Sequence, residues 1–180
     1  MPVITNVSMT ADLFDMIGFI DLRKLCNNCC NCVYHNYPFV RVIKRYRNPN
    51  ATVMIYDSGK LVCVGAKSKN DGRIALRKTA RIIQKLGYDI KLHNLRVTNI
   101  AASHNLKNDL NVEKLMNQFN WSSNYELEIF PHLRINCGNK RHITLTRKGK
   151  MILTGVYTRK ALNELYEEFM FKYFDYLINK

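Results

Sequence analysis

Polar and apolar positions alternate over residues 2–9 well enough to predict a strand, and a short helix follows around 20–31. Three β-rich runs come next, at 39–47, 52–56 and 60–64. Asn48-Pro49-Asn50 and Asp57-Ser58-Gly59 separate them, and both are good hairpin turns. Ser68 is placed to cap a long helix running through Leu86, with Gly87 at the C′ position. Ile74, Ile82, Ile83 and Leu86 predict its apolar face, while Arg73, Arg77, Lys78, Arg81 and Lys85 cover much of the rest. The same order then returns: a strand at 92–101, a helix at 110–119, strands at 132–137, 142–146 and 150–154, and a helix from about 158 to 178. Sheets backed by helices on one face only leave the other face open.

The pattern repeats because the sequence does. Ile4-Thr5-Asn6-Val7 returns as Val97-Thr98-Asn99-Ile100, and Leu22-Arg23-Lys24-Leu25 as Val112-Glu113-Lys114-Leu115. Ser58-Gly59-Lys60-Leu61-Val62-Cys63-Val64-Gly65 returns as Lys148-Gly149-Lys150-Met151-Ile152-Leu153-Thr154-Gly155. The offsets are 93, 90 and 90 residues, in the same order both times. Chance does not readily produce an ordered series at near-constant spacing. Two copies, 1–90 and 91–180, predict a pseudo-symmetric α+β molecule with no linker between its halves.

Charge changes the picture next. Across 180 residues, 28 Lys plus Arg stand against 14 Asp plus Glu, a formal net charge of +14. The first ninety residues carry net +8 and the second ninety +6, so the charge is spread as an extended binding face requires. A polyanion is the expected partner, nucleic acid before an anionic membrane surface. No apolar run approaches the ~18 residues that span a bilayer, and the N-terminus lacks an export pattern.

The six cysteines are therefore expected as thiols or ligands in a reducing compartment. Cys26, Cys29, Cys30 and Cys32 cluster beside His35; on one helix 26, 29 and 30 would share a face, which permits a metal. Structural zinc usually draws ligand pairs from separated segments, so thiols are the preferred reading and no metal or cofactor is expected. No H-E-x-x-H, P-loop, G-x-S-x-G or paired-carboxylate pattern supports an enzyme. His35, His93, His104, His132 and His142 have no ligand spacing. Six aromatic residues between Tyr166 and Tyr176 predict a helix whose aromatic rings occupy more than one face.

The stretches 58–68 and 80–87 closely resemble the core of the TATA-box-binding protein (TBP) family. Thr98-Asn99-Ile100, Ser122-Ser123 and Tyr125-Glu126-Leu127-Glu128-Ile129-Phe130-Pro131 match its second half in order. The resemblance spans residues 3 to 178, with no separate N-terminal extension expected. It implies a saddle: a curved ten-stranded antiparallel sheet with four helices on its convex face. It further implies a non-enzymatic factor that lies on A·T-rich DNA through the minor groove and wedges aromatic rings between base steps.

The site residues follow from that resemblance, position by position. Phe39 and Tyr56 match the first-repeat wedge pair; Phe130 and Thr146 occupy the second-repeat positions, where threonine cannot fill a base step. Asn6 and Asn99 match asparagines that read minor-groove acceptors. Thr154 matches an accompanying threonine whose first-repeat counterpart is Val64. Arg45, Arg47, Lys60 and Lys150 match or adjoin phosphate-binding positions, and Arg41, Lys140, Arg141, Arg147 and Lys148 add charge nearby. Pro38 stands where the family commonly has a basic residue. Glu126 and Glu128 match the surface for a transcription factor IIB-like protein. The basic helix with Arg73, Arg77 and Arg81 matches a surface for a IIA-like factor, and RNA polymerase is the implied end user.

A second reading keeps the fold and partner surfaces but loses TATA selectivity, motivated by Thr146 and Val64. The divergent second repeat and the Asn-, Lys- and Tyr-rich composition suit a parasite or a large DNA virus. The expected location is the nucleus for a cellular protein and a cytoplasmic replication site for a viral one.

Overall fold

The computed structural model describes residues 1–14, 19–107, 109–119 and 132–178. The chain runs β1 (Val3–Phe14), α1 (Leu22–Asn27), β2 (Cys32–His35), β3 (Arg41–Tyr46), β4 (Ala51–Ile55), β5 (Lys60–Ala66) and α2 (Lys69–Lys85). It continues with β6 (Lys91–Asn105), α3 (Val112–Phe119), β7 (His132–Asn136), β8 (His142–Thr146), β9 (Lys150–Val156) and α4 (Arg159–Ile178). The strands form one sheet in the order β2-β3-β4-β5-β1-β6-β9-β8-β7. Nine strands are present among the described residues, where the resemblance implied ten.

Each helix begins on a residue that sequence alone could nominate. Asp21 Oδ1 accepts from Lys24 N–H at 2.9 Å, and Asn111 Oδ1 from Lys114 N–H at 2.9 Å. Ser68 Oγ accepts from Asp71 N–H at 3.0 Å, and Thr158 Oγ1 from Ala161 N–H at 3.1 Å. Each such cap satisfies a backbone donor that the first turn leaves unpaired, for about 1 kcal/mol. Asp21 pairs with Asn111, and Ser68 with Thr158, at the spacing of the repeat.

The hairpins repeat as faithfully. Leu13 N–H donates to Gly59 O at 3.0 Å and Leu106 N–H to Gly149 O at 2.9 Å; Ile20 N–H donates to Asp57 O and Leu110 N–H to Arg147 O. β1 shifts register between Val7 and Met9, and β6 between Ile100 and Ala102. Both long strands are therefore bulged at matching points, and each bulge lies close to a conformationally special glycine of the partner strand.

Compact folding divides the chain into two units: Asn6–Thr98, and Met1–Thr5 with Asn99–Lys180. In the first, α2 packs on β4 and β5, and α1 on β2 and β3. Its core includes Met9, Val53, Leu61, Cys63, Leu76 and Ile83, all fully buried. In the second, α4 packs on β9 and α3 on β7, over buried Leu133, Ile143, Leu145, Met151, Leu153 and Leu162. Burying a side chain of this size contributes roughly 1.5–3 kcal/mol, so Leu61→Ala or Leu145→Ala removes about 2–5 kcal/mol.

Two expectations need correction, and one strand, β2, was not foreseen. The predicted face of α2 is shifted: its buried residues are Gly72, Ala75, Leu76, Thr79, Ala80 and Ile83, whereas Ile74, Ile82 and Leu86 are half-buried. Small residues let the helix approach the sheet closely. A Cβ on Gly72 would come within 2.5 Å of Met9 Sδ. Second, α1 ends at Asn27, so Cys29 and Cys30 lie in the following turn and the cysteines do not share a helical face. β2 had no alternating signature, because Asn- and Cys-rich sequence surrounds it. Among the described residues, no helix is long and apolar enough to cross a membrane.

Candidate nucleic-acid interface

Strand alternation sorts each sheet face. In β4 and β5, Ala51, Val53, Ile55, Leu61 and Cys63 are buried under helices, which turns Thr52, Met54, Tyr56, Val62 and Val64 to the other side. Thr52 lies opposite Val64 and Met54 opposite Val62. In the second unit, Leu133, Ile135, Ile143, Leu145, Met151 and Leu153 go to the core. That leaves His132, Arg134, Asn136, His142, Thr144, Thr146, Ile152 and Thr154 on the helix-free face.

Two asparagines are fixed on these faces by one device used twice. Asn6 Oδ1 accepts from Gly65 N–H at 2.6 Å, and Asn99 Oδ1 from Gly155 N–H at 2.8 Å. Gly65 and Gly155 have φ of +84° and +85°, a conformation that L side chains rarely adopt. Because a backbone N–H can only donate, each side-chain carbonyl is committed inward, and the amide NH2 is what remains to donate. Asn6 Nδ2 also reaches Ser8 Oγ at 3.2 Å. Two oriented amide donors, one per repeat, suit a surface of acceptors. The minor-groove edges of A·T pairs are such a surface.

Phe39 is 68% exposed, ahead of β3, and its carbonyl accepts from Arg41 Nη1 at 3.2 Å. It is not a core aromatic. Tyr37, Val40 and Val33 are exposed beside it in sequence or on the neighbouring strand. Tyr56 is half-buried at the end of β4. Thr146 is half-buried too, and its Oγ1 accepts from Lys150 N–H at 3.0 Å, turning the hydroxyl toward its own hairpin.

Comparison with known proteins places this geometry. Residues 1–86 and 94–172 match the family model described as Transcription factor TFIID (or TATA-binding protein, TBP). The chain belongs to the TATA-binding protein family. It is 38% identical over 168 residues to TATA box-binding protein-like 2 of Rattus norvegicus, covering 93% of this chain and 48% of that protein. It is 38% identical over 170 residues to the TATA-box-binding protein of Bombyx mori, covering 94% and 53%. The chain thus spans about half the length of these curated relatives. In fold it resembles Methanococcus jannaschii TBP, with a TM-score of 0.79 over 94% of this chain and 95% of that one, at 24% identity. By description the TBP family is one of transcription factors, not of enzymes. Neither the animal nor the archaeal relatives indicate a viral source.

Other residues that the TBP resemblance selected fall into three groups. Arg45, Arg47, Lys60 and Lys150 are exposed, at strand or hairpin positions around the faces. Arg73, Arg77 and Arg81 are exposed along α2, away from its buried side. Phe130, Glu126 and Glu128 lie outside the described residues. Sequence reasoning missed Thr52, Met54, His142, Thr144 and Arg134. Their signal was available: each sits at an even spacing from a residue already nominated on its own strand or hairpin.

Of the cysteines, Cys63 is buried, Cys30 is exposed and Cys26, Cys29, Cys32 and Cys137 are half-buried. Among the described residues no group of three or more His, Cys, Asp or Glu is placed to hold a metal. Burial, followed by a hydrogen bond with Cys29, pushes the Cys32 thiol up to about 12. Burial alone pushes Cys63 up to about 11. Lys44, opposite Cys32, is buried, donates to Cys30 O and lies 5.3 Å from the centroid of the Tyr46 ring.

Proposed function

We propose that this chain binds A·T-rich promoter DNA through the minor groove, kinks it, and serves transcription initiation. The paired Asn6–Gly65 and Asn99–Gly155 arrangement carries the reading, because it presents an oriented donor in each repeat to a groove of acceptors. The repeats 1–90 and 91–180 act as one functional domain in this reading. Exposed Phe39 and half-buried Tyr56 supply rings that can enter a base step, and Phe130 is the matching residue of the second repeat. Recruitment of a IIB-like protein through Glu126 and Glu128, and of a IIA-like factor through Arg73, Arg77 and Arg81, leads to RNA polymerase. A cellular chain with this role works in the nucleus. The test is a gel-shift and bending assay on A·T-rich duplex: a retarded, bent complex supports it, and no binding even at low salt sinks it.

A second reading is favoured by Thr146 and Val64: a TBP-like adaptor with altered TATA selectivity, acting mainly through protein partners. Thr146→Phe separates the two. If the second-repeat end engages DNA, a ring there raises both affinity and bend angle; if that end never touches DNA, neither changes.

A further inference from the structure

The two repeats present unlike chemistry at related positions. β4 and β5 offer Thr52, Met54 and Val64, whereas β8 and β9 offer His142, Thr144 and Thr154 in their places. The correspondence is structural as well as sequential: Thr52 lies opposite Val64, and His142 opposite Thr154. β7 extends the polar side, with Arg134 opposite Thr144. One face is largely methyl and thioether; the other is hydroxyl, imidazole and guanidinium.

Resting on the minor-groove reading above, we propose that the second-repeat face reads a G·C pair. A·T and T·A edges show only acceptors in the minor groove, while G·C adds the guanine 2-amino donor. Against Met54 and Val64 that amino group loses water and gains no partner, which costs binding. Thr144 and Thr154 carry hydroxyls with lone pairs to accept it. His142 adds a third acceptor. Its Nδ1 is buried without a hydrogen-bond partner in the protein, so no bond at that nitrogen fixes the imidazole tautomer. Asn99, fixed by Gly155, still donates to the O2 or N3 acceptor that every pair keeps. The consequence is a polar reading direction: A·T under the first repeat, G·C accepted under the second.

A dyad-symmetric A·T duplex tests this whichever way round the protein sits, because each repeat is free to take either half. One G·C pair placed in either half should leave affinity within about three-fold of the all-A·T duplex. A second G·C, in the other half, should cost roughly ten-fold or more. Inosine·cytosine lacks the 2-amino group and presents an A·T-like minor-groove edge, so replacing the costly second G·C with it should restore wild-type affinity to within about three-fold of the all-A·T duplex. Combining His142→Thr, Thr144→Met and Thr154→Val, which installs the first repeat's residues, should make the first G·C as costly as the second. Circular dichroism melting checks that this variant folds, and the inosine comparison on wild type stands without it. Equal penalties for the first and second G·C, or a second-half inosine·cytosine as costly as guanine·cytosine, overturn the proposal. Failure to bind the all-A·T duplex at low salt instead overturns the minor-groove reading itself.

Discussion

Asn6 Oδ1 sits 2.6 Å from the backbone nitrogen of Gly65, 59 residues further along the chain. The bond decides which end of the amide faces outward, and Asn99 repeats it with Gly155 at 2.8 Å. Structure and recognition can therefore be separated by one isosteric change. Asn6→Asp and Asn99→Asp keep an oxygen for the glycine N–H but remove the outward donor and add a negative charge. Each should lower affinity for A·T-rich duplex by about ten-fold or more, with little loss of thermal stability. Parallel titrations and melting curves check both halves of the statement.

The same glycines differ in what surrounds them. A Cβ on Gly155 would collide with the Lys140 carbonyl and Arg141 Cα, whereas on Gly65 the nearest atom is Ala51 Cα at 4.0 Å. Both substitutions meet the backbone penalty of positive φ, about 1–2 kcal/mol. Gly155→Ala adds a steric term against backbone, which cannot rotate away. Urea denaturation should therefore place Gly155→Ala clearly below Gly65→Ala in stability. Equal losses would mean that the β8 turn yields freely.

Why the sequence revealed this much, and not more, is visible in particular residues. α2 was legible at both ends: Ser68 caps it, and Gly87 follows its Leu86 C-cap with φ +94°. Its buried face was misread because Gly72, Ala75, Thr79 and Ala80 carry little hydrophobic signal, yet close approach to the sheet selects them. β2 escaped notice because Cys32–His35 is stabilised by pairing with β3, a long-range effect that no local pattern records. Asn6 and Asn99 were found through resemblance, but the glycine N–H that orients each amide is a tertiary contact. The His142 and Thr144 face needed strand register, which fixes what stands opposite what.

Phe39 separates wedge from core by exposure. At 68% exposure it contributes little packing, so Phe39→Ala should change the melting temperature by no more than a degree or two, in line with a loss of about 0.5 kcal/mol or less. The bend angle measured by fluorescence transfer between labelled duplex ends should fall nonetheless, because no ring then holds the base step open. A stability loss with unchanged bending would reassign Phe39 to packing.

Arg45, Arg47, Lys60 and Lys150 are exposed cations at the strands and turns of the two faces. If each neutralises a phosphate, binding to any duplex should weaken with salt, and each Lys→Gln or Arg→Gln change should reduce the log–log slope by about 0.9. Sequence preference should survive these changes, because phosphate contacts position the protein but do not read bases. Arg73→Gln on α2 is the control: with DNA on the helix-free face, it leaves the slope unchanged.

Alkaline stability tests the buried groups behind the face. Burial raises Cys63 from an ordinary 9.0 to about 11 and Tyr46 from 10.0 to about 12; burial, then Cys29, raises Cys32 from 9.0 to about 12. For all three the folded state holds its proton where the unfolded state has lost it. Their contribution to stability is thus fully present below about pH 9 and is lost as pH rises through the folded values. Unfolding free energy from these groups should be flat at neutral pH and fall between about pH 9 and 12. Cys63→Ala should make that fall shallower, at the expense of a small cavity and lower stability throughout. In the same pH series at neutrality, exposed Cys30 should alkylate first and buried Cys63 last, with Cys63 reacting only when the fold opens.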